Sequence, residues 1–539
     1  MLKQVTVELF RNQLIQRFRS HFSEMKEMKR REVLILVLCL LLGVTLRFYK
    51  FDTKSLWMDE VYTFNDSRDD FMGQIRFFKE NPTFLHPPLF FILTHQFYPF
   101  TKPERDLRII PLIFGTLSIP MIYFLSRSFS PQIAVPCTIA LTFMTYHISL
   151  SQDGRSYSLL MFLGMASLYF FIKHLRTLKK RDLCLVAFFF SLLFHTSYSS
   201  IPFIAFSQIL WFYRPREDDK TPPFSSFFIL NGLTLLLCLP WIIFIAVNYK
   251  GQTVMDPLFA ENPGSFWSIM YGILHDWVPH IPLMVVSVAL LIFLPFFSKF
   301  KKNAIVLIAV FILPVFGLYL YCKLLNVTHF ITSRYFINFF PLFFISIYLS
   351  LDSIETKFER LKRFMRLKLL FIILFIASNI VILPLYYHYE KEDFRGLVTY
   401  LKDQLLDGDK IFVESSSNIP GILHYFGLYP EGRHQMVTYW KDADKLVLIE
   451  KSFLYQNKNF TIYYSKTCCG QYVSDGGRVW IILKKYSAKK LIKESPCVLK
   501  GYFDGTFLNF HRFPTDASMY LFLWDPKSPN EKGIDMPIE

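Results

Sequence analysis

Residues 31–60 read REVLILVLCLLLGVTLRFYKFDTKSLWMDE, and the order of chemistry along that stretch decides the class of molecule. From Arg31 to Phe51 the centre is apolar and about long enough to cross a hydrocarbon core of roughly 30 Å. Upstream stand Lys3, Arg11, Arg17, Arg19, Lys26, Lys29, Arg30 and Arg31, a basic excess that the positive-inside rule keeps in the cytoplasm. The run then opens into Trp57-Met58-Asp59-Glu60, so two adjacent carboxylates are expected on the outer face. No small-residue cleavage pattern follows, and the span is expected to stay as an anchor.

Composition extends this reading to the whole chain. Of 539 residues, 52% are hydrophobic and only 19% charged, with 60 Phe, whereas soluble proteins carry about 25% charged residues. The chain reads as a multi-pass protein of the plasma (inner) membrane. Its net charge of +16 sits in short clusters between apolar runs and not along one polar face, so membrane lipids are expected as partners and nucleic acid is not. The eight Cys have no metal-type spacing. Cys137, Cys184 and Cys238 lie in apolar runs, where a thiol acts as a small hydrophobe. Cys468, Cys469 and Cys497 lie in a more polar region, and a disulfide from Cys497 to one of the pair stays open.

Further candidate spans are Leu107 to Ser126, Gln132 to Leu150, Leu159 to Leu175, Leu183 to His195, Ile201 to Tyr213, Phe227 to Val247, Ile281 to Phe297, Ala304 to Tyr321, Phe336 to Leu351 and Leu367 to Tyr387. With the first this makes about eleven crossings, the adjacent runs ending at His195 and Tyr213 being short. Alternate connections carry the positive charge: Lys173 to Arg181, Lys299 to Lys302, and Lys357 to Lys368. Pro88 to Phe100, about 13 residues, is too short to cross at roughly 1.5 Å per residue, so it is expected at the outer interface. Phe266 to His280 reads similarly. The expected organisation is a cytoplasmic basic N-terminus (1–31), a polytopic α-helical membrane domain (32–388) with an outer-face loop at 52–105, and an extracytoplasmic soluble α/β domain (389–539). Within the last, Asp393 to Leu406 and Ile419 to Phe426 read as helices, and Lys410 to Val413, Phe460 to Tyr464 and Arg478 to Lys484 as strands.

Polar residues that interrupt apolar runs near the outer face form a short set: Asp59, Glu60, His86, Asp153, Arg155, Tyr157, His195, His329, Arg334 and Tyr335. Ionisable groups at the edge of a bundle face a cavity, pair with each other or meet substrate. Interfacial Arg and Tyr also serve as snorkelling anchors, and lone histidines are more often structural. The acids are harder to explain that way, because Asp and Glu gain nothing as anchors.

In order and topology these residues resemble a known family. Trp57-Met58-Asp59-Glu60 after the first span, His86-Pro87-Pro88-Leu89-Phe90-Phe91, Asp153-Gly154-Arg155-Ser156-Tyr157, Ser333-Arg334-Tyr335 and Asp393-Phe394-Arg395-Gly396 look like the membrane-embedded GT-C glycosyltransferases of the dolichyl-phosphate-mannose protein mannosyltransferase type, including their bacterial relatives. The resemblance implies a sugar taken from a polyprenyl-phosphate carrier and passed to a hydroxyl acceptor on a lipid, glycan or protein at the outer face.

That chemistry accounts for the residue types. A lipid phosphate is a good leaving group, so the general acid of glycoside hydrolysis can be dispensed with and one base suffices. Asp59 is the expected base, raised toward a useful pKa in a partly dry cavity, with Glu60 orienting it or sharing the role. Arg155, Arg334 and a protonated His86 would stabilise the departing phosphate, while Asp153, Tyr157 and Tyr335 position sugar or acceptor. Direct displacement inverts the anomeric carbon. Two carboxylates alone are a thin ligand set, so no cofactor is assigned and a divalent metal stays open. The rival reading is a transporter or lipid flippase, against which stand the absence of an internal repeat and acids gathered at one surface. Deleting Tyr389 onward is expected to spare donor use and lose acceptor use.

Overall fold

All eleven apolar runs are helical in the computed structural model, which describes residues 30–80, 86–214, 221–249, 265–298, 301–324, 332–358, 366–415, 418–428, 438–442, 445–449, 453–456, 458–464, 477–494, 497–507, 515–528 and 532–535. Six helices among these residues are long and apolar enough to cross a membrane: Pro103–Phe129, Tyr157–Thr177, Phe224–Asn248, Lys301–Tyr321, Ser333–Lys357 and Leu367–His388. Two bent pairs raise the number to eight if each is one span, fewer than the eleven expected. The reasons are local. Helix Arg30–Phe48 holds Arg30, Arg31, Glu32 and Arg47 within 19 residues, Lys180–Thr196 has only 17, and Ile201–Ser207 tightens into a 3-10 turn at Gln208–Phe212.

One bent pair shows how a broken helix is tolerated inside such a bundle. Pro131–Phe143 and Thr145–Ser151 meet at 61°, which frees backbone groups that lipid cannot satisfy. The buried Arg47 guanidinium donates to the carbonyls of Leu141 (3.1 Å) and Thr142 (3.3 Å). On the other side of the break the Thr145 N–H donates to Asn379 Oδ1 at 2.8 Å. The other bent pair joins Phe266–Trp277 to Ile281–Phe297 at 109°, so the two cannot both run along the bundle. The expected interfacial run after Pro88 is a single short helix, Leu89–His95.

The two ends of the bundle are chemically distinct. Helix Ile109–Phe129 has 21 residues, about 30 Å at 1.5 Å per residue. Arg108 precedes it and binds Glu60, whereas Arg127 in its last turn binds Glu32 at 2.9 Å. Basic residues cluster at the Arg127 end, where Arg176 donates to the Ser128 carbonyl and Lys368 holds Asp352 and Glu355.

Beyond His388 the chain builds a mixed six-stranded sheet from β1 (Asp409–Val413), β2 (Phe453–Gln456), β3 (Phe460–Tyr464), β4 (Val479–Leu483), β5 (Val498–Phe503) and β6 (Met519–Trp524). The order is β2-β3-β1-β4-β6-β5. Strands β3 and β4 run parallel to β1, while β2, β5 and β6 add antiparallel edges. The central strands are near-continuous apolar runs because both faces are covered. Ile411, Val413, Trp480 and Ile482 face helix Phe394–Gln404, and Phe412, Val479 and Ile481 pack with Ala488 and Leu491 of helix Lys485–Glu494. That first helix starts where the sequence places it, with the Asp393 carboxylate accepting from the Gly396 N–H at 2.8 Å. Strands β2, β5 and β6 were not anticipated. Cys468 and Cys469 lie outside the described residues, as does His329.

The core of the sheet does not stop at residue 389. Leu56, Val61 and Leu107, from the loop after the first helix, belong to the same buried cluster as Phe394, Leu397, Ile422 and Leu521.

Candidate active site

Trp57-Met58-Asp59-Glu60 forms the first turn of a short helix, Met58–Asp66. Glu60 reaches back to the Trp57 N–H at 3.4 Å, the return half of a capping box, which satisfies a backbone donor at the helix start. This geometry separates the two acids. The Glu60 side chain is 1% exposed and its oxygens accept from Arg108 Nε and Nη2, each at 2.7 Å. Its Oε1 also accepts from the Gly154 N–H at 2.7 Å. Arg108 in turn donates to the carbonyls of Phe51, Lys54 and Ser55. A bidentate, fully paired buried carboxylate is a structural clamp. Of the two roles expected of Glu60, orienting Asp59 or sharing its task, this geometry fits the first: it fixes the loop on which Asp59 stands.

Asp59 is different. Its side chain is 18% exposed, and Oδ2 lies 3.4 Å from Arg334 Nη1, longer than the 2.7–2.9 Å typical of a tight charge-assisted bond. Arg334 opens the 3-10 turn Ser333–Phe339, 275 residues further along the chain. Its guanidinium lies over three rings, Trp57 at 5.7 Å, Tyr157 at 5.8 Å and Tyr335 at 5.6 Å. Its buried Nε has no hydrogen-bond partner among the described residues. Arg155 supports the acidic helix from behind, donating from Nη1 to the Asp59 carbonyl and to Thr63 Oγ1, both at 3.1 Å.

Asp153 is buried and occupied. Oδ1 accepts from the Trp57 indole at 2.8 Å and Oδ2 from Lys391 Nζ at 2.9 Å. Burial pushes the Asp153 carboxyl up, but the Lys391 ammonium and the indole N–H outweigh it and hold it below the usual carboxylate range. Lys391 also lies 4.7 Å over the Trp57 ring. His86 is exposed to solvent. The surrounding protein and the Arg155 guanidinium nevertheless push its pKa down to about 4, against the pull of Asp59. That shift disfavours the cation expected from sequence.

The structure thus gathers Asp59, Glu60, His86, Asp153, Arg155, Tyr157, Arg334 and Tyr335 at one end of the bundle. His195 stands apart, its Nε2 at 3.3 Å from the Leu237 carbonyl. Sequence reasoning missed Arg108, whose one hint is a charged run, Glu104-Arg105-Asp106, ahead of a span. It also missed Lys391, which only topology brings to Asp153, and the structural use of Trp57. Because Glu60 is consumed by Arg108, the acidic pair does not present two open carboxylates to a divalent cation. Among the described residues no group of three His, Cys, Asp or Glu could hold a metal ion.

A family model described as dolichyl-phosphate-mannose-protein mannosyltransferase matches residues 85–244, a segment that contains His86, Asp153, Arg155 and Tyr157. The crystal structure of ArnT from Cupriavidus metallidurans in the apo state is similar with a TM-score of 0.51 at 10% identity, covering 90% of this chain and 97% of that one. The same protein bound to undecaprenyl phosphate gives 0.51 at 11% identity with the same coverage. The archaeal oligosaccharyltransferase AglB from Archaeoglobus fulgidus overlaps less, with a TM-score of 0.43 at 11% identity over 74% of this chain and 64% of that one. No curated protein matches in sequence. The chain thus shares the fold of ArnT, and its residues 85–244 resemble the dolichyl-phosphate-mannose-protein mannosyltransferases.

Proposed function

We propose that the chain moves a sugar from a polyprenyl-phosphate carrier to a hydroxyl acceptor, with Asp59 as general base, at the face of the membrane opposite the basic connections. The observation that carries this reading is the contact between an accessible carboxylate and an accessible guanidinium, Asp59 and Arg334 at 3.4 Å, beside Glu60 and Asp153, whose charges are already paired. Such a loose pair is readily exchanged for a substrate phosphate.

When the donor's phosphate takes Arg334, Asp59 is released to accept the proton of the acceptor hydroxyl. The hydroxyl oxygen attacks the anomeric carbon as the carbon–oxygen bond to the phosphate breaks, and the electron pair leaves with the phosphate. The polyprenyl phosphate departs with one further negative charge, which Arg334 and Arg155 stabilise where the effective dielectric is low. The undirected Nε of Arg334 supports this, because a planar guanidinium grips phosphate at two points. Neutral His86 serves as a donor to sugar or phosphate. Asp153, tied to Trp57 and Lys391, orients the aromatic ring over which Arg334 lies and acts as a positioning residue. One base, with Glu60 and Asp153 already paired, favours direct displacement with inversion. The positive-inside pattern of the basic connections supports an N-terminus in the cytoplasm and a sheet outside. The isoprenoid of the carrier explains why this chemistry sits in a bundle that a lipid can enter sideways.

The test is release of polyprenyl phosphate from a labelled polyprenyl-phosphate sugar by purified protein, wild type beside Asp59→Asn. Loss of release in the variant is expected. Undiminished release would remove Asp59 as the base.

A further inference from the structure

We propose that the basic end of the bundle carries a second site, separate from the sugar-transfer chemistry, for an anionic phospholipid. A cavity of about 510 Å³ lies between the ends of helices Ile281–Phe297, Lys301–Leu324 and Phe340–Lys357. Phe129 and Tyr213, with ring centroids 5.4 Å apart, close one side. Because Phe129 ends the helix that Arg108 precedes, the cavity is roughly 30 Å from Glu60 and cannot hold the headgroup of a donor bound at Asp59.

The lining is amphipathic. Leu294, Leu307 and Leu349 form an apolar floor, and Ser298, Ser353 and Lys357 stand at the rim. One carboxylate, Asp352, also lines the cavity; it shares Lys368 with Glu355, so the three together keep one negative charge. Lys357 has no carboxylate within ion-pair distance among the described residues. Its ammonium lies over the rings of Phe297 (5.4 Å) and Phe358 (5.9 Å), contacts that hold the side chain without cancelling its charge. Lys301 and Lys302 are exposed at the start of the adjoining helix. Lys301, Lys302 and Lys357 outweigh that one negative charge, so net positive charge rims an apolar hole.

The cavity also meets the lipid-facing surface. Phe296, in its lining, is 67% exposed, and Ile292 is 59% exposed one turn away. A soluble anion would leave the leucine floor wetted. A lipid that enters from the side covers the floor with its chains and brings its phosphate to Lys357, and the volume falls in the range of small-molecule sites. A zwitterionic headgroup would carry its own cation against that rim, so the charge selects an anionic lipid.

Native mass spectrometry of the full chain in neutral detergent, with phosphatidylglycerol or phosphatidylcholine added, tests this. Wild type is expected to retain phosphatidylglycerol about five-fold better, the equivalent of about 1 kcal/mol for one cation at a lipid headgroup. Lys357→Gln is expected to erase that preference, Lys357→Glu to reverse it, and Ser353→Trp to reduce retention of both lipids by filling the cavity. Inorganic phosphate at the same concentration is expected not to compete. Equal retention of the two lipids by wild type, an unchanged preference in the Lys357 variants, or displacement by inorganic phosphate would each overturn the proposal. The readout is independent of sugar transfer, so it stands or falls apart from the proposed activity.

Discussion

Glu60 gives both oxygens to Arg108 and Gly154, while Asp59, one position earlier, meets only a loosely held Arg334, so adjacent acids with the same chemistry take different tasks. Glu60→Gln leaves the Arg108 guanidinium buried without its counter-charge, and breaking such a pair costs about 3–5 kcal/mol. Thermal unfolding in detergent is expected to show that loss, whereas Asp59→Asn, at an accessible pair, is expected to change stability by less than about 1 kcal/mol. Gly154 is a second sensitive point. A Cβ there would lie 3.1 Å from Glu60 Oε1 and 3.3 Å from Leu107 Cβ. Gly154→Ala is expected to destabilise by about 1–3 kcal/mol through overpacking, measured in the same unfolding assay. The candidate residues were legible in the sequence because acids and guanidinium groups stand out in apolar surroundings. What separates Asp59 from Glu60 was not, because it depends on Arg108, 48 positions away.

Among the elements, the short helix Met58–Asp66 carries the site, and it is held as much by the C-terminal sheet region as by the membrane bundle. The Met58 N–H donates to Glu392 at 3.0 Å and the Leu56 N–H to the Tyr425 hydroxyl at 2.7 Å, and the Phe64 ring packs edge-on to His424 at 4.6 Å. Burial pushes the His424 imidazole down to about 4, with Arg68 adding to the effect and Glu104 opposing it. An unfolded His titrates near 6.5. Between those pH values the unfolded chain binds a proton that the folded chain refuses, so stability is full above about pH 6.5 and falls as the pH drops toward 4, by at most about 1.4 kcal/mol per pH unit from this residue. Unfolding midpoints from pH 7 to 4.5 are expected to fall more steeply in wild type than in His424→Phe. Long apolar helices and helix Ile419–Phe426 could be read directly, because their periodicity runs over enough residues to be distinctive. Strands β2, β5 and β6 could not, since edge and antiparallel strands of four to six residues owe their form to neighbours distant in sequence. Fewer helices than the eleven expected spans reach full crossing length unbroken, because a hydropathy run does not reveal where a helix breaks, as at Met144, or how many charges it keeps.

At the scale of the whole molecule, the sheet region and the outer loop share one core, with Leu56, Val61 and Leu107 buried among Phe394, Leu397 and Ile422. Lys391 supplies the cation that fixes Asp153, and Arg395 reaches Glu104 at 3.5 Å and the Thr53 carbonyl. Composition changes near residue 389, which suggested a detachable module whose removal spares donor use. The packing argues otherwise, because truncation at Tyr389 would uncover that core and unclamp the acidic helix. A chain ending at His388 is expected to lose donor binding together with transfer, and retained donor binding would show that the membrane bundle holds the site alone. The central claim is that a carboxylate and a guanidinium set 275 residues apart divide one reaction, the first taking the proton and the second the phosphate. Its most direct test measures donor binding and single-turnover transfer side by side for Asp59→Asn and Arg334→Gln. Asp59→Asn is predicted to bind polyprenyl-phosphate sugar at least as tightly as wild type, its Arg334 now unpaired, and to transfer about 10²- to 10⁴-fold more slowly, while Arg334→Gln is predicted to lose donor affinity. An Asp59→Asn protein that transfers at the wild-type rate, or an Arg334→Gln protein that binds donor normally, would contradict the account.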